Sequence, residues 1–187
     1  MIREAPRIET DRLVLRQHRK EDFPAHHRIM DDHDVMRHVG GVGGREDCWR
    51  RFAGAVGSWA LIGFGGWAVV RRSNDQLVGI VSLFNAWRDM EPQFGEDPEM
   101  GWIFAKEAHG QGIASEACIA ALAWADQALP PRPIWAIVAP ENEPSLKLAE
   151  RLGFERRADS VYKDEPTAVL RRLTTNKDHY ILVGQFA

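Results

Sequence analysis

The segment Glu107–Cys118, with the sequence EAHGQGIASEAC, combines two closely spaced glycines with the start of a predicted helix at Ser115. Glycine lets the backbone turn sharply and lets a ligand approach it closely. The first N–H groups of a helix have no acceptor within the helix and attract anions. The backbone groups that could surround an anion belong to Gly110, Gln111, Gly112, Ile113 and Ala114. The chemistry expected of such a loop is the binding of phosphate groups, and a pyrophosphate is its natural ligand.

A glycine pattern this short has a second interpretation, which is a tight turn whose small residues allow close helix packing. One helix terminus stabilises a charge by only about 0.3–1 kcal/mol, so several N–H groups must converge for useful affinity. The segment is not a Walker loop, because no Lys-Ser or Lys-Thr pair follows Gly112. It is not a dinucleotide-binding fingerprint either, because the third small residue comes too early.

Four sequence blocks resemble, in order, those of the GNAT superfamily of acetyl-CoA-dependent N-acetyltransferases, and most of all its branch of ribosomal-protein N-terminal acetyltransferases of the Rim type. The blocks are IETDRLVLR, PEMGWIFA, HGQGIASEA and NEPSLKLAERLGF, and HYILV follows near the end of the chain. The resemblance implies a single acetyltransferase domain over residues 1–187, with acetyl-CoA as the co-substrate and an amine as the acceptor.

The fold that this resemblance implies is of the mixed α/β class, with a central, mostly antiparallel sheet and helices on both faces. The fourth and fifth strands splay apart in the family, and the pantetheine arm of acetyl-CoA lies in the gap against the fourth strand. EMGWIFA, residues 99–105, is predicted to be that strand, and Ile103 lies on it. Its open backbone groups are expected to bond the ligand as a further strand would.

The family's loop pattern, Gln/Arg-x-x-Gly-x-Gly/Ala, is matched at two of its three defined positions. Gly112 and Ala114 occupy the second and third positions, whereas His109 stands at the first. Because backbone amides hold the phosphates, the change is expected to affect only a side-chain contact of His109.

Acetyl transfer to an amine needs a base that accepts a proton from the nucleophile. An α-amine has a pKa of about 7.7–8.0 and a lysine side chain one of about 10.4, so the base has less to do with an α-amine. The resemblance places the base on the fourth strand, where Glu99 is the candidate and Glu96 and Asp97 are alternatives. A solvated glutamate at the start of a strand is the competing interpretation. Glu116, in the first turn of the helix after the loop, is expected to serve the helix dipole or a buried hydrogen bond.

Asn142 and Ser145 match an Asn-x-x-Ser motif of the family. The resemblance implies that Asn142 bonds the pantetheine or acetyl region and that Ser145 protonates the departing thiolate. The same residues also suit a helix cap and first turn, and both roles can hold together. Many members of the superfamily carry a tyrosine acid further along this helix, where this chain has Ala149, and Tyr162 is a distant alternative.

Apolar patterns and turn residues predict a mixed α/β order of elements. Strands are predicted at 12–17, 65–72, 76–85, 99–105, 131–140 and 179–186, and helices at 20–32, 45–60, 115–127 and 143–152. Asp22 is expected to cap the first helix and Gly153 to end the last one. Residues 87–98 are predicted to form a loop.

The composition of the 187 residues is that of an ordinary globular protein, with 44% hydrophobic and 27% charged residues and a net charge of -3. No nucleic-acid partner is expected from this charge. Cys48 and Cys118 form neither a disulfide framework nor a metal knuckle, which favours a reducing, cytoplasmic compartment. The N-terminus lacks the apolar stretch of a signal peptide, and no segment is expected to cross a membrane. Oligomeric state is left open.

Histidines and tryptophans are the other residue types that could mark a site. The early histidines are His18, His26, His27, His33 and His38. They lack metal-ligand spacing, so no metal is expected and a solvated helix face is the preferred interpretation. Core packing is expected of Trp67, Trp102 and Trp135, whereas the candidates for an acceptor-cleft wall are Trp49, Trp59 and Trp87.

The preferred function is acetyl transfer to a primary amine, with a protein or peptide N-terminal α-amine ahead of other acceptors. A small-molecule amine, such as an aminoglycoside or polyamine, is the first alternative, and a non-catalytic acyl-CoA-binding module is the second. The loop Arg88–Glu99 carries five acidic residues against one arginine. Its field would attract a cationic acceptor, although a merely solvated acidic loop would have the same sequence.

Overall fold

The computed structural model describes residues 4–174, which form an eight-stranded sheet with helices on both faces. The strands are β1 (Ile8–Glu9), β2 (Leu13–Arg16), β3 (Gly66–Arg71), β4 (Leu77–Phe84), β5 (Glu99–Phe104), β6 (Pro133–Val138), β7 (Glu155–Tyr162) and β8 (Glu165–Leu173). The helices are α1 (Phe23–Met30), α2 (His33–Met36), α3 (Arg45–Ile62), α4 (Ile113–Ala128) and α5 (Glu143–Arg151). Short 3-10 turns lie at Lys20–Asp22 and Lys106–Ala108.

Neighbouring strands of the sheet are antiparallel except for one pair, and these two strands separate along most of their length. The strand order is β1-β2-β3-β4-β5-β6-β8-β7, and β5 and β6 are the parallel pair. β4 and β5 pair along their whole length, from Gly79–Phe104 to Phe84–Glu99. Within residues 4–174, β5 and β6 pair only at Glu99–Trp135. The predicted mixed α/β class and the splay between these two strands are therefore confirmed.

Each face of the sheet is covered by a different set of helices. On one face, α4 and α5 bury small and aliphatic side chains against the strands, among them Ala117, Ala121 and Leu148. On the other face, Ile29 of α1 packs against Val14 of β2 and against neighbouring strand residues. Small residues along α4 let this helix lie close to the sheet, as its alanine-rich sequence predicts.

Of the strands that sequence patterns missed, β1 and β7 lie at the two edges of the sheet and β8 lies next to β7. β1 has two residues, and β7 is an outer strand with mostly exposed side chains, so neither shows a marked apolar alternation. Lys163 and Asp164 turn from β7 into β8 with φ angles of 53° and 65°, and no glycine marks the turn. Gly153, with φ at 82°, follows α5 as predicted. The strand predicted at 179–186 lies outside the described residues.

Asp22 does not cap α1 with its side chain, contrary to the prediction. Its carboxylate instead accepts two hydrogen bonds from the buried guanidinium of Arg16, at 2.6 and 2.9 Å, and one from the backbone N–H of Arg19 at 2.7 Å. The reason is that Arg16 points inward from β2 and needs a buried counter-charge. Asp22 therefore stabilises the 3-10 turn that precedes α1.

The prediction of a solvated histidine face is wrong for His18 and His26, which are 5% and 4% exposed. Their rings meet edge to face at 5.5 Å, and each lies 5.0 Å from the ring of Phe52 on α3. Burial lowers the pKa of His18 to about 3 and that of His26 to about 4. His33 is exposed, as predicted.

The described residues contain neither a cluster of metal ligands nor a membrane-spanning helix. Between residues 4 and 174, no group of three or more His, Cys, Asp and Glu side chains is arranged to hold a metal ion. In the same part of the chain, no helix has the length and apolar character needed to cross a membrane. Cys48 and Cys118 are both buried and free of disulfide bonds.

Candidate active site

The opening between β5 and β6 is the centre of the candidate site. Beyond the Glu99–Trp135 pairing, β6 leaves β5, so the edge of β5 from Met100 to Phe104 is not covered by it. An open strand edge offers N–H and C=O groups to an extended ligand. Ile103 lies on this edge, and its side chain packs against apolar clusters that include Ile29 of α1 and Met36 of α2.

The glycine loop lies directly beyond the end of β5. Gly110 and Gly112 have φ angles of 71° and 72°, in the left-handed region that favours glycine. Gly112 is the N-cap of α4, and Ile113 begins the helix two residues before the predicted start. The side chain of Ile113 is fully buried in the core, which fixes the helix terminus to the sheet. The first N–H groups of α4 therefore lie at the mouth of the opening.

Two arginines that the sequence did not mark bond to this loop, Arg12 from the turn before β2 and Arg71 from the end of β3. Nη1 of Arg12 donates to the carbonyl of Gln111 at 2.8 Å, and Nη2 of Arg71 donates to its side-chain oxygen at 2.9 Å. Their separation along the chain from Gln111 is 99 and 40 residues, so no local pattern could have linked them. Arg71 adds positive charge beside a site predicted to take phosphate groups, whereas the charge of Arg12 is balanced by its ion pair with Glu116.

Glu116 has the structural role that its position in the first turn predicts. Its carboxylate accepts hydrogen bonds from the hydroxyl of Thr10 and from the backbone N–H and Nε of Arg12. Burial opposes ionisation, but these hydrogen bonds outweigh it and keep the pKa of Glu116 below its usual value. The residue joins α4 to the turn before β2.

His109 also ties the loop to the sheet. Its Nε2 lies 3.0 Å from the backbone oxygen of Phe104, the last residue of β5. This contact needs the tautomer in which Nε2 carries the proton. The side chain thus joins the loop to the end of β5, while the backbone of the following residues stays available for an anion.

Glu99 is neither solvated nor at a free strand end, because it forms a buried ion pair. Its carboxylate is 4% exposed and accepts hydrogen bonds from Nε and Nη2 of Arg88 at 2.6 and 2.7 Å. Burial raises the pKa of Glu99 above the ordinary value, and the charge and hydrogen bonds of Arg88 oppose part of that effect. Sequence reasoning did not single out Arg88.

The alternative carboxylates lie closer to solvent than Glu99. Glu96 is exposed, and Asp97 is partly buried, with its Oδ2 3.4 Å from the indole N–H of Trp135. Tyr162, the distant alternative for an acid, lies under the guanidinium of Arg88, whose central carbon is 4.4 Å from the ring centre. The structure therefore brings Tyr162 to the same cluster as Glu99, through Arg88.

Asn142 and Ser145 form the helix cap that the motif predicts. The side-chain oxygen of Asn142 accepts the backbone N–H of Ser145 at 3.2 Å, which caps α5. The hydroxyl of Ser145 accepts a hydrogen bond from the indole N–H of Trp102 on β5 at 3.4 Å. This contact crosses from β5 to the helix after β6, so Ser145 lies beside the opening between the two strands.

Glu99 and Ser145 approach the opening from opposite faces of the sheet. Side chains alternate along a strand, so Glu99 and Trp102, three positions apart on β5, point to opposite faces. Trp102 packs against the core on the face covered by α4 and α5, and it is Trp102 that holds the Ser145 hydroxyl. A group in the opening would therefore have a carboxylate on one side and a hydroxyl on the other.

A pocket of about 250 Å³ lies at the end of the strands where Glu99 is located. Its lining residues are Ile62, Phe64, Asn85, Trp87, Glu96 and Arg132. Trp87, one of the predicted cleft-wall residues, is 71% exposed and lines this pocket. Trp59 is 1% exposed and packs in the core against Trp67 and Trp124, so its assignment to a cleft wall is wrong.

Comparison with known proteins agrees with this geometry. The family model for the acetyltransferase (GNAT) domain matches residues 12–155. The uncharacterised N-acetyltransferase YnaD of Bacillus subtilis (strain 168) is 29% identical over 151 residues, which cover 80% of this chain and 82% of YnaD. The chain belongs to the GNAT family of acetyltransferases, and it is an N-acetyltransferase enzyme.

Solved structures of two acetyltransferases with different acceptors share the fold. RimL, a ribosomal L7/L12 α-N-protein acetyltransferase in complex with coenzyme A, has a TM-score of 0.75 at 16% identity, with 92% of this chain and 100% of RimL covered. Spermidine N-acetyltransferase from Vibrio cholerae, in complex with CoA and spermine, has a TM-score of 0.71 at 18% identity, with 89% and 98% covered. At these identities the likeness concerns the fold alone.

Proposed function

We propose that this protein transfers an acetyl group from acetyl-CoA to a primary amine, with the α-amine at a protein or peptide N-terminus as the preferred acceptor. The observation that carries the proposal is the opening between β5 and β6, which has a glycine loop at its mouth and Glu99 and Ser145 on its two faces.

The residues fit a bound acetyl-CoA by their backbone conformation and by their charge. The left-handed glycines leave the loop free of side chains where a pyrophosphate would bind, and the N-terminus of α4 favours its charge. The proposed binding residues are Ile103, His109, Gly110, Gln111, Gly112, Ile113, Ala114, Asn142 and Ser145. Ile103 would contribute through the backbone of the open strand, and His109 through its support of the loop.

The reaction needs one proton acceptor and one proton donor from the chain, and acetyl-CoA supplies the activated acetyl group. Glu99 is the proposed base, because a carboxylate whose pKa is raised by burial accepts a proton more readily at neutral pH. Ser145 is the proposed donor to the departing sulfur, from the opposite face of the opening. The two roles require that the amine enter from the side of Glu99.

A cationic acceptor is favoured by the charge of the loop before β5. Glu91 and Glu96 are exposed on that loop, and Glu96 lines the pocket together with Trp87. An α-amine is the preferred member of the class, because its low pKa makes deprotonation easier, and the resemblance to the Rim branch points the same way. A polyamine is the second candidate, since several acidic residues in one loop also suit a multiply charged chain.

The test is a thiol-release assay with acetyl-CoA and a panel of amines. The panel contains peptides with free N-termini, the same peptides with blocked N-termini and an internal lysine, spermidine and an aminoglycoside. We expect the highest kcat/KM for free N-termini. Equal activity on blocked peptides would contradict the α-amine preference. Binding of CoA without thiol release on any amine would instead support a non-catalytic acyl-CoA-binding module.

A further inference from the structure

Arg88 is the partner of Glu99, although it lies on the loop between β4 and β5 and not on a regular element. Two nearly parallel hydrogen bonds, Nε to Oε2 at 2.6 Å and Nη2 to Oε1 at 2.7 Å, join the planar guanidinium to the carboxylate. A bidentate pair of this kind fixes orientation as well as position. The Arg88 side chain is 15% exposed, so the pair is largely shielded from water.

Tyr162, at the end of β7, holds Arg88 from its other side. The guanidinium carbon of Arg88 lies 4.4 Å from the ring centre, within the range of a cation–π contact. The same strand contacts the same loop a second time, because the hydroxyl of Ser160 donates to the carbonyl of Glu91. Arg88 therefore contacts both the Glu99 carboxylate and the ring of Tyr162, which belongs to the β7–β8 hairpin at the edge of the sheet.

This arrangement is not required to build β5. Six pairings with β4 already hold that strand, and Glu99 is the first of its residues. Burying a charged pair costs desolvation energy that its mutual attraction often only balances, so such a pair is weak evidence of a stabilising role. A role in setting the ionisation and orientation of the Glu99 carboxyl accounts better for a pair formed by the proposed base.

A buried carboxyl without a cation would hold its proton and could not act as a base. Burial raises the pKa of Glu99, and Arg88 lowers it through its hydrogen bonds and charge. The other ionisable groups on neighbouring elements are Tyr162 and Lys163 on the β7–β8 hairpin, Asp97 before β5, and Arg171 of β8. The hydrogen bonds that reach Glu99 come from Arg88.

We propose that Arg88 is a positioning residue for acetyl transfer, which holds the Glu99 carboxylate in one orientation and in its ionised form, and that Tyr162 holds Arg88 in place. The proposal rests on the proposed role of Glu99 as the base. Arg88 acts through Glu99 and exchanges no proton itself, because a guanidinium stays protonated in proteins.

The first test compares the pH dependence of kcat/KM in the wild-type enzyme, Arg88→Met and Arg88→Lys. We expect Arg88→Met to lose about 10²-fold at pH 7, the size of loss that misplacing a catalytic group can cause. Part of this loss should be recovered as pH rises, because Glu99 then ionises at a higher pH. Arg88→Lys, which keeps the charge but not the bidentate geometry, should lose less. Arg50→Met, in an exposed ion pair on α3, is the control and should change neither rate nor profile.

The second test measures the ionisation of the Glu99 carboxyl directly by NMR and does not depend on catalysis. In protein labelled with ¹³C at glutamate side chains, the signal of Glu99 is the one that disappears in Glu99→Gln. We expect its titration midpoint to move to higher pH in Arg88→Met, and to move less in Tyr162→Leu, which keeps the ion pair but removes the ring. Tyr162→Leu also serves if Arg88→Met does not fold.

The outcomes separate this proposal from the proposed function. The positioning role of Arg88 would be overturned if Glu99 had the same titration midpoint in the wild-type enzyme, Arg88→Met and Tyr162→Leu. It would also be overturned if Arg88→Met lost the same fraction of kcat/KM at every pH. A shifted midpoint combined with full turnover in Glu99→Gln would instead overturn the assignment of Glu99 as the base, and with it the role of Arg88 in acetyl transfer. The ionic coupling of the two residues would stand.

Discussion

Among single residues, the proposed chemistry depends most on Glu99, whose buried carboxylate accepts two hydrogen bonds from Arg88. Glu99→Gln keeps the shape of the side chain but removes its ability to take a proton. Because the loss of a general base costs roughly 10²–10⁴-fold in rate, we expect kcat to fall within that range. Affinity for acetyl-CoA, measured by calorimetry, should stay nearly unchanged.

Glu96→Gln is the matched control, since Glu96 is an exposed glutamate three residues earlier, in the loop before β5. It should keep at least most of the wild-type turnover. In Glu99→Gln, higher pH should restore part of the rate, because more of the acceptor amine is then already neutral. A variant that stays equally slow up to the pKa of the amine would speak against the base role.

Ser145 can be tested without disturbing the helix that carries it. The cap of α5 uses the side chain of Asn142 and the backbone N–H of Ser145, so Ser145→Ala keeps the cap and removes only the hydroxyl. We expect turnover to fall by about 10²-fold or more, as for the loss of a general acid, with little change in melting temperature. Asn142→Ala, by contrast, should lose stability by about 1 kcal/mol. Normal turnover in Ser145→Ala would remove the hydroxyl from the mechanism.

Residues of the candidate site were proposed from the sequence where a local motif marks them. Gly112, Asn142 and Ser145 lie in short patterns that resemble those of the family, and Glu99 was proposed from its place on the strand. Arg88 could not be distinguished, because it sits among acidic residues in a loop and reaches its partner only when the loop folds back on β5. Arg71 contacts the glycine loop from 40 residues away, which no spacing in the sequence reveals.

At the scale of elements, the turn between β5 and α4 gives the sharpest test of acetyl-CoA binding. Gly112 has φ at 72°, and a Cβ added there would lie 3.5 Å from Nη2 of Arg12, so a side chain fits but is strained. Gly112→Asp and Gly112→Asn share this strain and nearly the same shape, and only aspartate adds a negative charge. We expect the aspartate variant to bind CoA at least about tenfold more weakly than the asparagine variant, because like charges repel at short range.

Calorimetry on both variants, with melting temperatures to confirm folding, checks this prediction. His109→Ala should weaken binding much less than Gly112→Asp, since the ring of His109 bonds the backbone of β5. Equal affinity for CoA in the wild-type enzyme and Gly112→Asp would rule out the loop as the phosphate site.

The central elements were predictable because their patterns are local. β3, β4, α4 and α5 each combine an apolar run with turn or cap residues, and their bounds match the expected ones within a few residues. β8 was missed because its buried segment Thr167–Leu170 is short and lies between charged residues. β7 lies at the outer edge and buries little. The splay between β5 and β6 leaves no mark in the apolar pattern, and only the resemblance to a family predicted it.

The buried contact of His18, which follows β2, with His26 of α1 and Phe52 of α3 predicts that the stability of the fold depends on pH. The four ring nitrogens of His18 and His26 are buried and have no hydrogen-bond partner among the described residues. The pKa values of about 3 and about 4 lie below the unfolded value of about 6.5, so the unfolded chain binds more protons. Stability is therefore nearly complete above about pH 6.5 and falls as pH drops toward 4 for His26 and toward 3 for His18, by roughly 1–2 kcal/mol per histidine at pH 5.

Urea unfolding at pH 5 and pH 7.5 measures this effect. The double variant His18→Leu/His26→Leu should lose most of the difference between the two pH values, whereas His33→Leu, at an exposed site, should keep it. The nearby Asp22 has a lowered pKa and titrates below this range. If the double variant keeps the full wild-type pH dependence, the histidines are not its cause.

Over the whole molecule, charge is distributed unevenly although the net charge is only -3. Arg71 flanks the glycine loop at one end of the strands, together with Arg12 in its ion pair with Glu116. The acidic loop follows β4 at the other end, and β4 alone, with its 8 residues, spans roughly 26 Å. An anionic co-substrate and a cationic acceptor would therefore be attracted to different ends of the site, which lets both bind at once.

The acidic loop leads to a prediction about the rate of acceptor binding. Because Arg88 neutralises Glu99, the negative field of the loop comes from Asp89, Glu91, Glu96 and Asp97. Exposed charges are screened over about 10 Å at 0.1 M salt. At saturating acetyl-CoA, kcat/KM for a cationic amine should therefore fall as salt rises.

Neutralising three charges of the loop tests whether that field is the cause. In Glu91→Gln/Glu96→Gln/Asp97→Asn, we expect a lower kcat/KM at low salt and a flatter salt dependence, because the attraction that salt screens is reduced. The matched control is Glu9→Gln/Asp11→Asn/Asp75→Asn, which makes the same change in net charge at exposed positions near the opposite end of the strands. It should keep the wild-type dependence of kcat/KM on salt, since those charges lie well beyond the screening distance from the loop. A slope that changes equally in both variants would assign the effect to net charge, and a wild-type rate that does not depend on salt would exclude electrostatic steering of the acceptor.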